Sequence, residues 1–202
     1  MTKKYFVAGI GTEVGKTLVS SVLVHKLKAD YWKPIQCGDL DKSDSISVSR
    51  LCPDAHIFKE TYALKEPASP HYAAALEETE IQLERFKTPE TKNPLIIEGA
   101  GGLLVPLNSQ HTLLDLMVKL GMPVILVSRN YLGSINHTLL SIAQLKARGL
   151  TLEGVVFNGD ENKATQEVIE RMTGVNILGR VENLTAINQH SIAQQAHNLK
   201  EI

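Results

Sequence analysis

The stretch Val7–Thr17, "VAGIGTEVGKT", decides the fold class of this chain. It ends in Gly-Lys-Thr, as do phosphate-binding loops in which a glycine, four residues and Gly-Lys-Ser/Thr follow one another. By that count the first glycine belongs at position 10, where the chain has Ile10. Five residues instead separate Gly9 from Gly15. The stretch is therefore either a phosphate loop with one extra residue or a glycine-rich turn between a strand and a helix.

The flanks of this stretch favour the phosphate loop. The apolar run "YFVAGI" predicts a buried strand before it, and Val19, Leu23 and Leu27 follow at helical spacing. A helix N-terminus attracts phosphate, and glycines let backbone N–H groups turn inward around it. In such a loop Lys16 reaches the β- and γ-phosphate oxygens, and the Thr17 hydroxyl can ligate Mg²⁺.

Apolar runs alternate with helical patterns along the rest of the chain. We expect further strands in "YWKPIQ", "PLIIEGAGG", "PVILVS" and "LEGVVFNG", a helix in "HTLLSIAQLKARGL" closed by Gly149, and a C-terminal helix with Ile192, Ala196 and Leu199 on one face. This alternation predicts an α/β fold with a mostly parallel sheet and helices on both faces. Together with the phosphate loop it predicts a P-loop NTPase-like fold. No linker divides residues 1–202, so we expect a single domain, with the polar region 39–92 supplying insertions and helices around the site.

Composition excludes several classes of protein. The 202 residues are 43% hydrophobic. The net charge is −1, so the chain lacks the excess of Lys and Arg that is typical of nucleic-acid-binding proteins. The two cysteines, Cys37 and Cys52, do not make a disulfide framework, and a reducing compartment is the simplest interpretation. The N-terminus lacks the pattern of a signal peptide, and the longest apolar run, "PVILV", is too short to span a bilayer. We expect a cytoplasmic protein without membrane contact.

Several residues carry more than one interpretation when taken alone. Lys33 is either a solvated lysine at a strand end or a cation of the site. Asp44 in "DKSD" fits a helix N-cap as well as a metal ligand. Glu98 follows a buried strand, where a carboxylate needs a partner or a metal ion, and we favour the metal. Asn158 is either part of an Asn-Gly turn or an amide that reads a nucleobase.

The chain resembles the dethiobiotin synthetases, whose phosphate loop is close to GTDTEVGKT and carries five residues between its glycines. The resemblance covers most of the chain through six further segments in the same order: "KPIQCG" (33–38), "SD" (43–44), "EPASPHYAA" (66–74), "IIEGAGGLLVPL" (96–107), "LGSINHTLL" (132–140) and Asn158 in "VVFNG". It departs from the family at Gly11, where Asp is common, at Cys37, where Ser or Thr is usual, and in "LGRVENL" (178–184), which lacks the family's proline.

The resemblance implies an ATP-dependent cyclo-ligase of biotin biosynthesis. Its diamine substrate, 7,8-diaminopelargonate, takes up CO₂ or a bicarbonate-derived form as a carbamate, which attacks the γ-phosphate of MgATP. The neighbouring amine then closes the ureido ring, giving dethiobiotin, ADP and phosphate. Mg²⁺ is the implied cofactor, and the family's homodimer binds the substrate's carboxylate tail across the interface.

The same resemblance assigns roles to individual residues. The catalytic residues would be Lys33, Lys16 and Thr12, and the metal ligands Thr17, Asp44 and Glu98. The nucleotide and its metal ion would be bound by Thr12, Glu13, Val14, Gly15, Lys16, Thr17, Asp44, Glu98, Gly99, Ala100, Gly101, Asn158 and Gly159. The substrate would be bound by Cys37, Ser69, Pro70, Gly133, Ser134, Ile135 and Asn136. Cys37 is interpreted as a small donor or a packing residue, since the reaction needs no thiol nucleophile.

Two other functions compete with this one. Partner-regulated partitioning or septum-positioning ATPases carry a signature lysine early in the loop, but this chain has Gly11 there and no basic amphipathic tail. Cobyrinate-type amidation enzymes are normally longer and carry a glutaminase domain, for which 202 residues leave no room.

Overall fold

Strands and helices alternate along the chain in a computed structural model that describes residues 2–202. The strands are β1 (Lys4–Gly9), β2 (Asp30–Trp32), β3 (Ile35–Cys37), β4 (Ile57–Phe58), β5 (Tyr62–Leu64), β6 (Leu95–Gly102), β7 (Val124–Arg129), β8 (Leu152–Asn158) and β9 (Ile177–Val181). The helices are α1 (Lys16–Leu27), α2 (Asp44–Leu51), α3 (Pro70–Leu76), α4 (Leu113–Leu120), α5 (Ser134–Ala147), α6 (Lys163–Thr173) and α7 (Gln189–Ala196). Short 3₁₀ helices span Leu40–Lys42 and Leu83–Arg85.

Seven strands form one parallel sheet in the order β4-β2-β6-β1-β7-β8-β9. The remaining strands, β3 and β5, pair in parallel in a second, two-stranded sheet. Because all strands of the large sheet run in one direction, their carboxyl ends share one edge, where ligands bind in open α/β folds. The prediction of a parallel α/β fold is confirmed.

Helices cover both faces of the large sheet. Successive side chains of a strand point to opposite faces, and in β1 Phe6 and Ala8 join one buried cluster while Tyr5 and Val7 join the other. The second cluster also contains Val19 and the following apolar residues of α1, so the predicted face of that helix is the buried one. Burial of each large apolar side chain contributes about 1.5–3 kcal/mol to the core. These two cores fix β1 and α1, and with them the loop between them.

The predicted strand "YWKPIQ" is wrong as a single element. The structure divides it at Lys33-Pro34 into β2 and β3, which belong to different sheets. Pro34 has no N–H to donate to a sheet ladder, and its carbonyl accepts from Thr61 N at 3.0 Å and Tyr62 N at 3.1 Å instead. The break lets the chain leave the sheet beside its carboxyl edge, with Lys33 buried at that point.

Two expectations about helix ends also need correction. Ser43, not Asp44, is the N-cap of α2, since its hydroxyl accepts from Ile46 N at 3.3 Å. The Asp44 carboxylate is therefore available to the site. Leu199 is buried but lies beyond the end of α7, in an isolated bridge with Gly179. No helix among residues 2–202 has the length and apolar character needed to cross a membrane.

Candidate active site

The loop between β1 and α1 has the backbone of a phosphate-binding loop. Gly15 is the N-cap of α1 and has φ +89°, and Glu13 has φ +58°, so both adopt the left-handed conformation. A Cβ at Gly15 would lie 2.0 Å from Asn158 Nδ2, which leaves room for glycine only. The Lys16 ammonium donates to Gly11 O at 2.9 Å across the loop. Burial lowers the pKa of Lys16 to about 8.

A buried ion-pair network lies next to this loop. Lys33 Nζ donates to Asp44 Oδ2 and, at 3.0 Å, to Glu98 Oε1. Thr17 Oγ1 lies 2.6 Å from Asp44 Oδ1 and 3.0 Å from Glu98 Oε1. Tyr31 OH donates to the other Glu98 oxygen at 2.9 Å. The predicted metal ligands and the predicted catalytic lysine therefore meet in one cluster.

The charges within this network determine which of its side chains are ionised. Burial favours the neutral form of Lys33, but the Glu98 and Asp44 carboxylates outweigh it and raise the pKa of Lys33. Burial likewise opposes ionisation of Asp44, yet the ammonium of Lys33 holds the pKa of that carboxyl below its usual range. Burial and the neighbouring Glu98 raise the pKa of Tyr31 well above its ordinary value, so this phenol stays a hydrogen-bond donor.

The cluster has the chemistry of a Mg²⁺ site. Residues 2–202 contain no group of three His, Cys, Asp or Glu side chains that could hold a metal ion. Thr17, Asp44 and Glu98 instead offer one hydroxyl and two carboxylates, and Mg²⁺ in nucleotide sites commonly uses few protein ligands with waters and phosphates. The two carboxylates already hold one cation, the Lys33 ammonium, between them. These donors therefore fit the ion.

The network opens into a cleft of about 730 Å³. Most of the predicted site residues line it: Thr12, Glu13, Gly15, Lys16, Thr17, Lys33, Cys37, Asp44, Ser69, Pro70, Glu98, Ala100 and Gly101. Gly99 and Val14 do not, because Gly99 packs against Phe6 within the sheet and the Val14 side chain belongs to the core. The cleft joins the phosphate loop to two of the segments predicted to bind substrate, those that contain Cys37 and Ser69-Pro70.

Comparison with known proteins identifies the family. A family model described as "AAA domain" matches residues 3–191. The chain is 48% identical to the ATP-dependent dethiobiotin synthetase BioD of Christiangramia forsetii, over 100% of this chain and 98% of that protein. The protein of the same name from Cytophaga hutchinsonii is 46% identical over 98% of this chain and 97% of its own length. The chain belongs to the ATP-dependent dethiobiotin synthetase family.

Solved structures that resemble this chain support the fold alone. A ParA family ATPase from Chlorobium tepidum matches with a TM-score of 0.56 and 11% identity, covering 98% of this chain and 100% of that one. The septum site-determining protein MinD from Pyrococcus horikoshii, complexed with Mg-ADP, matches with a TM-score of 0.56 and 17% identity. The match covers 96% of this chain and 86% of the MinD chain. The competing ATPase interpretation thus shares the architecture, while the sequence relatives are dethiobiotin synthetases.

The family's usual Ser or Thr is replaced here by Cys37, which lines the cleft and is half-buried. Burial raises the pKa of the Cys37 thiol to about 11, and the nearby Lys33 ammonium only partly offsets this. A thiol in this state is protonated at neutral pH and is a poor nucleophile. The prediction that Cys37 performs no thiol chemistry is consistent with this environment.

Asn158, which the resemblance predicts to contact the nucleobase, ends β8 and is nine-tenths buried. Its Nδ2 donates to Val14 O at 3.0 Å, which fixes the orientation of the amide. Gly159 O accepts from Arg180 Nη1 at 3.0 Å, so the end of β9 lies against the same turn although the family's proline is missing.

The loop that the resemblance predicts to bind the substrate's carboxylate tail, residues 133–136, lies apart from this cleft. Gly133, with φ +99°, is the N-cap of α5, and Ser134 begins that helix as predicted. None of the residues 133–136 lines the cleft that contains Lys33. Leu132 is fully exposed and Ile135 is 37% exposed. One chain therefore does not bring this loop to its own Lys33 cleft.

Sequence reasoning missed two residues that organise the site. Tyr31 lies two residues before Lys33, and alternation along a strand places both side chains on one face. The sequence could therefore have predicted that Tyr31 also contacts Glu98. Gln36 lies in the quoted segment "KPIQCG", and its Oε1 accepts from Asp44 N at 3.4 Å. Its Nε2 donates to Gly38 O at 3.0 Å, which links the turn after β3 to the start of α2.

Proposed function

We propose that this protein is a dethiobiotin synthetase, an ATP-dependent ligase that forms the C–N bonds of the ureido ring. It converts 7,8-diaminopelargonate, CO₂ and MgATP to dethiobiotin, ADP and phosphate. The observation that carries the proposal is the buried Lys33 ammonium, which lies 3.0 Å from Glu98 and contacts Asp44 beside the phosphate-loop residue Thr17. This contact supports the proposal because it joins the lysine proposed to be catalytic to the side chains proposed to ligate the metal ion.

The proposed reaction needs positioning and positive charge rather than a side-chain nucleophile. An amine of the substrate and CO₂ form a carbamate, whose oxygen attacks the γ-phosphorus as ADP leaves. The second amine attacks the carbonyl carbon of the mixed anhydride and expels phosphate, with loss of the amine proton. Because this amine belongs to the same molecule as its target, proximity supplies much of the closure rate.

A carbamate, a triphosphate and a transferred phosphoryl group crowd the site during the reaction, and the chain supplies two cations to them. Lys16 would bind the β- and γ-phosphate oxygens, and Lys33 would bridge the carbamate and the γ-phosphate. Mg²⁺, held by Thr17, Asp44 and Glu98, would supply further charge neutralisation on the transferred phosphoryl group. Fixed cations in a buried cleft stabilise developing charge more strongly than cations in water.

Asn158 is the proposed contact for the nucleobase. With its Nδ2 committed to Val14 O, its Oδ1 is the free end of the amide. An oxygen in this position accepts a hydrogen bond from an exocyclic amine such as that of adenine. Gly159, next in the chain, has φ +97° and forms the turn beside this proposed contact.

We further propose that residues 1–202 act as one domain of a cytoplasmic homodimer. The loop from Gly133 to Asn136 opens α5, and the N-terminus of a helix attracts a carboxylate. This loop would bind the substrate tail in the partner's site. Exposed apolar side chains around it suit burial against a second copy: Leu104, Tyr131, Leu132, Ile135 and Leu140.

Phosphate release from MgATP tests the proposal. It should require both 7,8-diaminopelargonate and bicarbonate, and the 7-keto-8-amino precursor, which lacks one amine, should not replace the diamine. The Lys33→Gln variant should lose product formation while still binding ADP. Phosphate release that does not depend on the diamine would contradict the assignment, and so would normal turnover by Lys33→Gln.

A further inference from the structure

Two neighbouring strands contact the outer side of the phosphate loop through their last side chains. Arg129 ends β7, Asn158 ends β8, and the two are register partners in the sheet. Arg129 Nη1 donates to Glu13 O at 3.3 Å, and Asn158 Nδ2 donates to Val14 O at 3.0 Å. Two consecutive carbonyls of the loop are thus each held by a side chain from the sheet edge.

The loop conformation is one that needs external support. Glu13 has φ +58°, in the left-handed region that costs free energy for a residue with a Cβ. Such a conformation persists when surrounding contacts fix it. With the carbonyls of Glu13 and Val14 engaged on the outside, the following N–H groups are free to turn toward a bound phosphate. At its start the loop is held by a backbone hydrogen bond, which Ile10 N donates to Val127 O at 3.1 Å.

The guanidinium of Arg129 is free of competing partners. It forms no ion pair within the part of the chain that the structure describes. Its stem runs past Gly159, where a Cβ would lie 3.9 Å from Arg129 Nε and 4.0 Å from Arg129 Cγ. These are ordinary contact distances, so the arginine stem lies beside the Gly159 turn on its way to the loop.

We propose that Arg129 is a positioning residue of the nucleotide site. Together with Asn158 it forms a clamp on the carbonyls of Glu13 and Val14, and it preserves the phosphate-binding shape of the loop before nucleotide arrives. Arg129 acts through the Glu13 carbonyl. The proposal rests on the nucleotide-binding part of the proposed function and does not depend on the identity of the second substrate.

The test compares Arg129→Ala and Arg129→Lys with the wild-type chain. Arg171→Ala, at an exposed arginine on α6, is the matched control. The first measurement is hydrogen–deuterium exchange of the peptide covering residues 11–18 in the absence of nucleotide. The second is titration with MgADP over a range of salt concentrations. Thermal unfolding of all four proteins shows whether any variant has lost its fold.

The clamp predicts faster exchange in residues 11–18 of nucleotide-free Arg129→Ala and an ADP dissociation constant raised by about 3- to 10-fold. Arg129→Lys, which keeps a donor, should recover part of both effects, and Arg171→Ala should match wild type. The salt dependence of ADP binding should be the same in Arg129→Ala and wild type.

Two results would overturn the clamp. One is unchanged exchange in the nucleotide-free loop of Arg129→Ala. The other is weaker ADP binding accompanied by a shallower salt dependence, which would make Arg129 a charge that attracts phosphate. Wild-type protein that fails to bind ADP would instead contradict the proposed function, so the two failures can be told apart.

Discussion

Replacing Lys33 by Gln removes the one cation that lies between two carboxylates. Glu98 is 1% exposed, so the variant buries a charge whose ammonium partner is gone. Breaking a buried ion pair in this way costs about 3–5 kcal/mol. Here Glu98 keeps hydrogen bonds from Tyr31 and Thr17, and the Asp44 side chain is 31% exposed. Because these contacts remain, we expect a loss of about 2–3 kcal/mol, below that range.

The assay is thermal unfolding at neutral pH, first in EDTA and then with excess MgCl₂. For a chain of this length each kcal/mol shifts Tm by about 2–4 °C, so Lys33→Gln should unfold roughly 4–12 °C below wild type in EDTA. Mg²⁺ neutralises the same carboxylates, and a ligand that binds only the folded state raises Tm. Added MgCl₂ should therefore raise the Tm of Lys33→Gln more than that of wild type.

Lys42→Gln provides the matched control. Lys42 lines the same cleft, but its side chain is 73% exposed and its nitrogen lies 3.5 Å from Asp39. A surface pair of this kind contributes about 0–1 kcal/mol, so this variant should shift Tm by less than about 4 °C. If Lys33→Gln and Lys42→Gln unfold together in EDTA, Lys33 does not neutralise the buried carboxylates.

Three further predictions concern other positions. Gly15→Ala should abolish ADP binding in a titration, because φ is +89° and the new Cβ would lie 2.0 Å from Asn158 Nδ2, whereas Gly11→Ala, with no atom within 4 Å of its Cβ, should bind normally. Hydrogen bonds from Thr112 and Arg148 outweigh burial and lower the pKa of Asp115 from 3.8 to about 2. Its contribution to stability should therefore be complete above the unfolded value and disappear as the pH falls toward 2. Denaturant unfolding of Asp115→Asn should show a loss of about 1 kcal/mol at neutral pH and none in strong acid, and an equal loss in both conditions would contradict this. Cys37 should react slowly with iodoacetamide at neutral pH, because burial raises its pKa to about 11, and Cys37→Ser should stay active; rapid labelling or an inactive serine variant would restore a role for the thiol.

The strands and the helix around the phosphate loop could be predicted because each carries a clear local pattern of apolar residues. Unbroken apolar runs mark β1, β6, β7 and β8, and each ends in the glycine or polar residues of the site. Helical spacing of apolar residues marks α1. The resemblance to the family then supplied Lys33, Asp44 and Glu98, which the structure brings together.

The rest of the fold was missed for physical reasons. Strand β4 has two residues and β5 has three, which is too short for any periodicity to appear. Helix α6 is polar and buries only Thr165 and Ile169, although the Asn162 cap and Gly174 at its end were usable signals. The contact between Arg129 and Glu13 joins residues 116 positions apart, and spacing along the chain carries no information about it.

The most direct test of the central claim follows the carbon that the carbamate gives to the ureido ring and the oxygen that it gives to phosphate. Wild-type protein is mixed with MgATP, 7,8-diaminopelargonate and CO₂ labelled with carbon-13 and oxygen-18, and the products are read by mass spectrometry before the label exchanges with water. The account predicts dethiobiotin that carries the heavy carbon in its ureido ring and phosphate that carries one heavy oxygen from the carbamate. Phosphate without heavy oxygen, or ADP formed without labelled dethiobiotin, would contradict it.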